Sequence, residues 1–351
     1  MKKRLLSVLM IMTMAAAMVG CGNKAAEEST DEATATEGGD GAVYKVGIIQ
    51  YVDDASLNQI VANLESQLDK LGAENGCTFE YADYYYNGQA DSTTINQIVA
   101  ELINDDVDIL VPIATPTAMI CQSATEDNQI PVVFAAVSDP EGAGLVASND
   151  APGANVTGTS DALNTSAVLD LMLEQDRDIS KVGLLYDKSQ DSSAAPIKEA
   201  KEYLDAKGIE YIEKTGTSND EVMLAADALV AEDVDAVFTP TDNTIMTAEL
   251  AIYEKFIDAG IPHYCGADSF ALNGAYLGYG VNYATLGEET ANMVAEILVK
   301  GAKPETLAVK TLDNGTATVN TETAAALNLD YDKLRDMCDG FVEVQTAEEF
   351  E

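Results

Sequence analysis

The sequence predicts an α/β protein made of two doubly wound parallel-sheet lobes. Three observations carry that expectation. Short, nearly continuous apolar runs of strand length alternate with segments whose apolar residues recur every three to four positions. The order of elements then restarts: DVDILVPIATPTAM from Asp106 and DVDAVFTPTDNTIM from Asp233 align without a gap, setting Thr115 opposite Asp242, and KVGIIQ at Lys45 is echoed by KVGLLY at Lys181. Finally, the roughly 300 residues from Val43 onward exceed what one hydrophobic core usually serves.

The first residues stand apart from this pattern. Lys2, Lys3 and Arg4 precede LLSVLMIMTMAAAMVG and then Cys21, the charged, apolar and small-residue order of a secretory signal over residues 1–20. The apolar run is shorter than the about 20 residues that a membrane span needs. Cys21 directly after Met18-Val19-Gly20 resembles a bacterial lipobox, which implies a lipidated (palmitate-bearing) N-terminal Cys21 and a membrane anchor. Residues 21–43 then carry no aromatic side chain and are expected to be a disordered tether, with a root-mean-square span on the order of 25 Å.

From Lys45 the strand KVGIIQ leads through a polar turn, Tyr51 to Ser56, into a helix with Leu57, Ile60, Val61, Leu64, Leu68 and Leu71 on one face. Ser56 is placed to cap it and Gly72 to end it. Phe79–Tyr84 is the next expected strand. Ser92 starts a helix with Ile95, Ile98, Val99, Leu102 and Ile103 inward, and Ile109–Ile113 is a strand. Thr115-Pro116 opens another helix, and Ile130–Ala136 forms the following strand. After Pro152-Gly153-Ala154-Asn155 the series repeats from Lys181, with a helix over 194–207 and Ile261-Pro262 echoing Ile130-Pro131. Apolar strands alternating with helices mean parallel sheets covered on both faces. Ligands of such sheets bind outside the carboxyl ends of the strands, so the polar turns there should wall a cleft between the lobes.

Those turns carry the candidate binding residues. Thr115 and Asp242 each stand where a strand gives way to a helix, a position that also suits a simple N-cap. The turn at Thr115 has no acidic residue, so its free helix amides suit a carboxylate. Asp242, with Asn243 beside it and Asp268 in the following turn, suits an ammonium, so that a zwitterion fits between them. Ser138 and Asp139 follow the strand of Val132 and face the same cleft, although Asp139 before Pro140 also suits a turn. Tyr51 and Tyr279 are candidates to cover an apolar side chain.

Composition narrows the alternatives. The formal net charge of −41 repels phosphate backbones, so nucleic-acid binding is not expected. Cys77, Cys121, Cys265 and Cys338 are widely spaced and lack a CxxC, which fits buried thiols. Arg177 and Arg335 are the arginines beyond the signal, neither in a cleft turn, so an Arg-clamped phosphate is disfavoured. The single His, His263, has no catalytic motif around it. No nucleophile elbow, zincin, P-loop or EF-hand pattern is present, and neither a metal nor a cofactor is expected. The chain reads as a binding protein and not an enzyme, expected to be monomeric.

PVVFAAVSDPEGAGLV (131–146), PGANVTGTSDA (152–162), PTDNTIMTA (240–248) and LGYGVNYATLGEETANMVAEILVKG (277–301) together resemble the tryptophan/tyrosine-type ABC transporter substrate-binding protein family. Its members are lipoproteins of the type I periplasmic binding fold. The resemblance covers nearly the whole chain after the tether. It implies two lobes joined by three crossovers and closing on a small ligand, delivery to an ABC permease with its ATPase, and attachment to the outer face of the cell membrane. Mapped on this chain it implies one lobe from 44–158 with 283–303 and another from 159–282 with 304–351, the third crossover falling near Pro304. The segment DDASLN (53–58) keeps the family's Ser-Leu pair but lacks the His-Pro before it. The reading favoured is an aromatic or otherwise apolar α-amino acid. Thr115 and its amides would hold the carboxylate, Asp242 and Asp268 the ammonium, with Ser138 as a further partner. A neutral sugar or nucleoside, a ligand sensor and a lipoprotein enzyme stand as alternatives.

Overall fold

The computed structural model describes residues 41–175 and 178–350. The expected signal peptide and the lipidation site Cys21 lie outside them, as does the tether up to residue 40. The last tether residues are built into the fold: the Gly41 amide bonds the Gly76 carbonyl at 2.7 Å, and the first strand already begins at Val43.

The first lobe is assembled from β1 (Val43–Gln50), α1 (Ala55–Asn75), β2 (Thr78–Glu80), β3 (Tyr85–Asn87), α2 (Ser92–Asn104), β4 (Ile109–Ile113), α3 (Thr115–Thr125), β5 (Val132–Phe134) and β6 (Val156–Ser160). The chain passes over 161–164 into α4 (Thr165–Leu173), β7 (Lys181–Tyr186), α5 (Asp191–Lys207), β8 (Glu210–Thr215), α6 (Asn219–Ala231), β9 (Ala236–Thr239), α7 (Asn243–Asp258), β10 (His263–Cys265), α8 (Asp268–Leu272) and β11 (Leu277–Gly280) of the second. It returns through α9 (Tyr283–Leu298) and β12 (Lys310–Thr311), then crosses again into β13 (Thr316–Asn320), α10 (Thr321–Ala326), α11 (Asp332–Arg335) and β14 (Gly340–Val344). The strand orders are β12-β6-β5-β4-β1-β2, with β3 also on β1, and β14-β13-β11-β10-β9-β7-β8. Pairing is parallel except between β11 and β13.

The third crossing differs from the expected one near Pro304. β12 pairs with β6, Lys310 opposite Thr159 and Thr311 opposite Ser160, so 304–311 still belongs to the first lobe and the chain leaves it over 312–315. Two polar residues at a sheet edge carry no periodicity by which a sequence reader could place them. Likewise the strand expected over 79–84 stops at Glu80, at the end of β2, and β3 begins only at Tyr85, both strands pairing with β1. Helix α1 is capped by Asp54, whose carboxylate accepts from the Ser56 and Leu57 amides at 2.9 and 3.3 Å, and it ends at a left-handed Gly76, not at Gly72.

The apolar faces close as the periodicity requires. Val46, Ile48, Ile60, Leu64, Leu68, Val99, Leu110 and Val133 are wholly buried in a cluster that runs on into Ile245, Met246 and Phe270 of the second lobe. Helix α9 stays with the first lobe by packing on α1; a Cβ at Gly287 would stand 2.4 Å from the Ile60 carbonyl oxygen, so only glycine permits that approach. Cys77, Cys121, Cys265 and Cys338 are free thiols. His263 is a packed residue, its ring edge-on to Phe256 and 2.8 Å from the Thr239 hydroxyl.

Candidate functional site

The carboxyl ends of both sheets face each other and enclose two cavities that share Thr115 and Asn243 as walls. The outer one has a volume of about 400 Å³. Tyr51, Pro116 and Met119 supply its first-lobe wall; Asp187, Gln190, Asn219 and Thr247 supply the second-lobe wall. The inner one, about 10 Å³, has room for one water-sized group. Leu57, Ser138, Asp161 and Tyr283 line it from one side and Ser192, Thr241 and Met246 from the other.

Thr115 does not cap a helix. The cap position of α3 falls on Ala114, which makes no side-chain cap bond and has φ 76° and ψ 152°. That region is costly for any residue with a Cβ, of order 1–3 kcal/mol, and persists only where the surroundings impose it. Its effect is to turn the start of α3 toward the cleft. The Thr115 hydroxyl is buried there without a partner, and so are those of Thr117, Ser192 and Thr241. A buried donor left unpaired costs about 1–3 kcal/mol. Three of these hydroxyls, Thr115, Ser192 and Thr241, line the inner cavity from two facing lobes and mark a surface built for something polar.

Asp242 is the N-cap of α7, as its position also suited. Its Oδ1 accepts from the Thr244 and Ile245 amides, both at 3.0 Å, and its Oδ2 from the Asp187 amide at 2.7 Å and the Ser193 hydroxyl at 2.6 Å. Burial pushes its pKa up to about 6. Both carboxylate oxygens are thus occupied by the protein, and Asp242 lines neither cavity. Asp268 also lies outside both; its oxygens receive the Ser56 hydroxyl at 2.5 Å and the Gln59 amide at 3.0 Å, from the other lobe. Asp139 accepts the Gly142 amide at 2.8 Å and organises a turn. Tyr279 is packed in the second lobe's core with Tyr264 and Tyr276, because its position on β11 points its ring away from the cleft. Tyr51, Thr115, Ser138 and Asn243 do come together at the cavities. Asn243 donates to Gln190 at 3.0 Å, and Gln190 also bonds the Tyr51 hydroxyl across the cleft.

Sequence reasoning missed the inner floor. Asp161 is buried, accepts the Ser138 hydroxyl at 3.0 Å and faces the Tyr283 hydroxyl at 3.4 Å. Burial raises its pKa, as it raises that of Asp268. Burial, reinforced by the charge of Asp268, pushes Asp54 up to about 7. The same three carboxylates raise the Tyr283 phenol further after burial has raised it. No Lys, Arg or His is among the described residues lining either cavity. The floor gathers carboxyls with no cation beside them among the described lining residues, while the facing start of α3 carries the partial positive charge of a helix N-terminus. The repeat that aligned Thr115 with Asp242 could not reveal Asp161, since it lies in the crossover where neither half has a counterpart.

Known proteins resemble this chain in sequence and fold. Over 328 residues, 93% of each chain, the sequence is 28% identical to the tyrosine-binding protein of Clostridioides difficile (strain R20291). The fold is similar to an ABC domain from Streptococcus pneumonia in complex with L-Trp, at TM-score 0.78 and 27% identity over 86% of this chain and 100% of that one. The similarity to the ligand-free, open structure of a substrate binding protein with adhesive properties from Clostridium difficile is lower, TM-score 0.66, at 29% identity over 87% of this chain and 100% of that one. Residues 45–334 match the family described as ABC transporter substrate binding protein, and the chain belongs to that family, with the type I periplasmic binding fold.

Proposed function

We propose that the protein is the extracytoplasmic, lipid-anchored receptor of an ABC importer and captures a zwitterionic, aromatic α-amino acid by closure of its lobes. One observation carries the ligand class. Unpartnered buried hydroxyls at Thr115, Ser192 and Thr241 stand beside a buried carboxylate, Asp161, with no cation lining the cavity. A carboxylate would accept from Thr115 and the amides at the start of α3, and an ammonium would compensate Asp161 and the acids behind it. Asp161 replaces Asp242 and Asp268 in that role because it lines the inner cavity and they line neither. The outer cavity, with Tyr51, Pro116 and Met119 on one wall, suits an aromatic side chain with a polar edge toward Asn219 and Thr247. The tyrosine and L-Trp named for two relatives support the same class, and the greater similarity to the L-Trp complex than to the open form supports a closed arrangement.

Calorimetric titration with L-tyrosine, L-tryptophan, L-phenylalanine, L-leucine and a panel of neutral sugars and nucleosides tests the reading. Tight binding of an aromatic amino acid, weakened by Asp161→Asn, is the expected result. Binding of a sugar or nucleoside with the amino acids silent would keep the receptor and overturn the zwitterion. Incorporation of labelled palmitate, abolished by Cys21→Ala, is expected of the anchor; equal labelling of both would refute it.

A further inference from the structure

The segment DDASLN, whose His-Pro is missing, turns only Leu57 to the inner cavity. Its polar side chains go elsewhere. The Ser56 hydroxyl donates to Asp268 Oδ1 at 2.5 Å and accepts the Ser269 amide at 3.2 Å, and Gln59 donates to Asp268 Oδ2 at 3.0 Å. Ser56 and Gln59 start α1 in the first lobe, whereas Asp268 and Ser269 start α8 in the second. A second contact lies alongside: Asn58 Nδ2 donates to Glu349 Oε1 at 2.7 Å. Asn58 is fixed by Gln50, which donates to its Oδ1 at 2.7 Å. Glu349 belongs to a terminal segment tied to the second lobe by the Ala347 amide on the Leu272 carbonyl and by Asn273 on the Ala347 carbonyl, at 2.9 and 2.8 Å.

We propose that this first turn of α1 is an interlobe clasp, in which Ser56, Asn58 and Gln59 hold the second lobe through Asp268 and Glu349 and thereby set ligand affinity without touching the ligand. Ser56, Asn58, Gln59, Asp268 and Glu349 line neither cavity, so they are positioning residues. The clasp bonds exist only while the lobes are together. The affinity of a cleft ligand is its intrinsic affinity reduced by the fraction of molecules in the competent arrangement, so any contact confined to that arrangement tightens binding for every ligand alike. Hydrogen bonds to a charged carboxylate are the stronger kind, and Asp268 receives both of its side-chain donors from the opposite lobe. Parting the lobes returns this carboxylate to water and breaks the bonds of Ser56 and Gln59 with it. The proposal rests on the hinged-receptor reading above for its effect on affinity, but not for the contact itself.

The test uses Ser56→Ala, Gln59→Ala, Asp268→Ala, the double variant Ser56→Ala/Asp268→Ala, and Glu349→Ala at the exposed end, with L-tyrosine as probe. The clasp predicts about tenfold weaker binding for Ser56→Ala and for Asp268→Ala. The loss should appear as faster dissociation at unchanged association, and the double variant should lose less than the two single variants combined, since the Ser56–Asp268 bond is shared and only the Ser269 amide bond is lost in addition. Glu349→Ala should weaken binding in the same kinetic manner. Small-angle scattering without ligand should show a larger radius of gyration in the variants than in the parent. Loss confined to Asp268→Ala, with Ser56→Ala, Gln59→Ala and Glu349→Ala at parental affinity and scattering, would make Asp268 a ligand contact and overturn the clasp. If the parent does not bind L-tyrosine, the amino-acid reading suffers while the scattering comparison still decides the clasp, identical curves refuting it. Should Asp268→Ala fail to fold, Ser56→Ala and Glu349→Ala carry the same comparison.

Discussion

Ser193 donates its hydroxyl to Asp242 at 2.6 Å, and this bond joins the start of α5 to the start of α7. With the Asp187 amide on the same oxygen, it makes Asp242 the knot of two turns of the second lobe. Asp242→Ala should therefore destabilise the fold itself, by about 3 kcal/mol, from the lost cap and the buried donors left unpaired. Asp242→Asn should fall between, because one oxygen remains for the α7 amides. Urea unfolding of the three proteins checks this; parental stability in Asp242→Ala with ligand binding abolished would return Asp242 to the ligand.

Thr115 has the opposite signature. Thr115→Val keeps the shape and removes a buried hydroxyl that has no protein partner, so it should raise the stability of the unliganded protein by about 1 kcal/mol. The same change should weaken ligand binding by about tenfold or more, as expected for a lost hydrogen bond to a charged group. Opposite signs in the melting and titration experiments are the discriminating result. A destabilised variant with parental affinity would mean that the hydroxyl serves the fold.

The architecture could be read from the chain because it rests on repetition. Ile109–Ile113 is the strand that its apolar run marks, and α3 starts at Thr115, as local patterning and the X-Pro signal require. Local pattern placed residues at the cavities where a strand-to-helix turn delivers a side chain directly, as at Tyr51, Thr115 and Asn243, and at Ser138 in the turn after β5. Tyr279 was misplaced because facing along a four-residue buried strand is set by which sheet face the ring meets, and an apolar run carries no alternation to reveal it. Ser56 and Asp268 take their meaning from contacts across 212 positions of sequence, which no local pattern records.

Tyr279 and Asp139 supply a control. Tyr279→Phe lies in the second core and Asp139→Asn keeps an oxygen for the Gly142 amide. Neither side chain lines a cavity, so ligand affinity should stay within about twofold of the parent, the range of changes away from special features. A tenfold loss in either variant would require a cleft wider than the two cavities.

Asp54 should make the protein lose stability as pH rises from acid to neutral. Its carboxyl faces Asp268, and the phenol of Tyr283 feels both carboxylates together with Asp161. Burial first, and then Asp268, pushes its pKa up to about 7 in the fold against 3.8 when exposed. The folded chain therefore binds more protons between those values than the unfolded chain, so this contribution is present in acid and lost as pH rises through about 7. From pH 5 to pH 8 the loss is on the order of 2 kcal/mol; Asp242, raised to about 6, acts in the same direction. Asp54→Asn retains an oxygen for the Ser56 and Leu57 amides, and Asn is as good an N-cap as Asp. It should accordingly flatten the stability-pH curve while leaving pH 5 stability close to the parent. A parent that gains stability from pH 5 to pH 8, or a variant curve parallel to the parent's, would show that Asp54 ionises normally and that the floor beneath the cavity carries its charge.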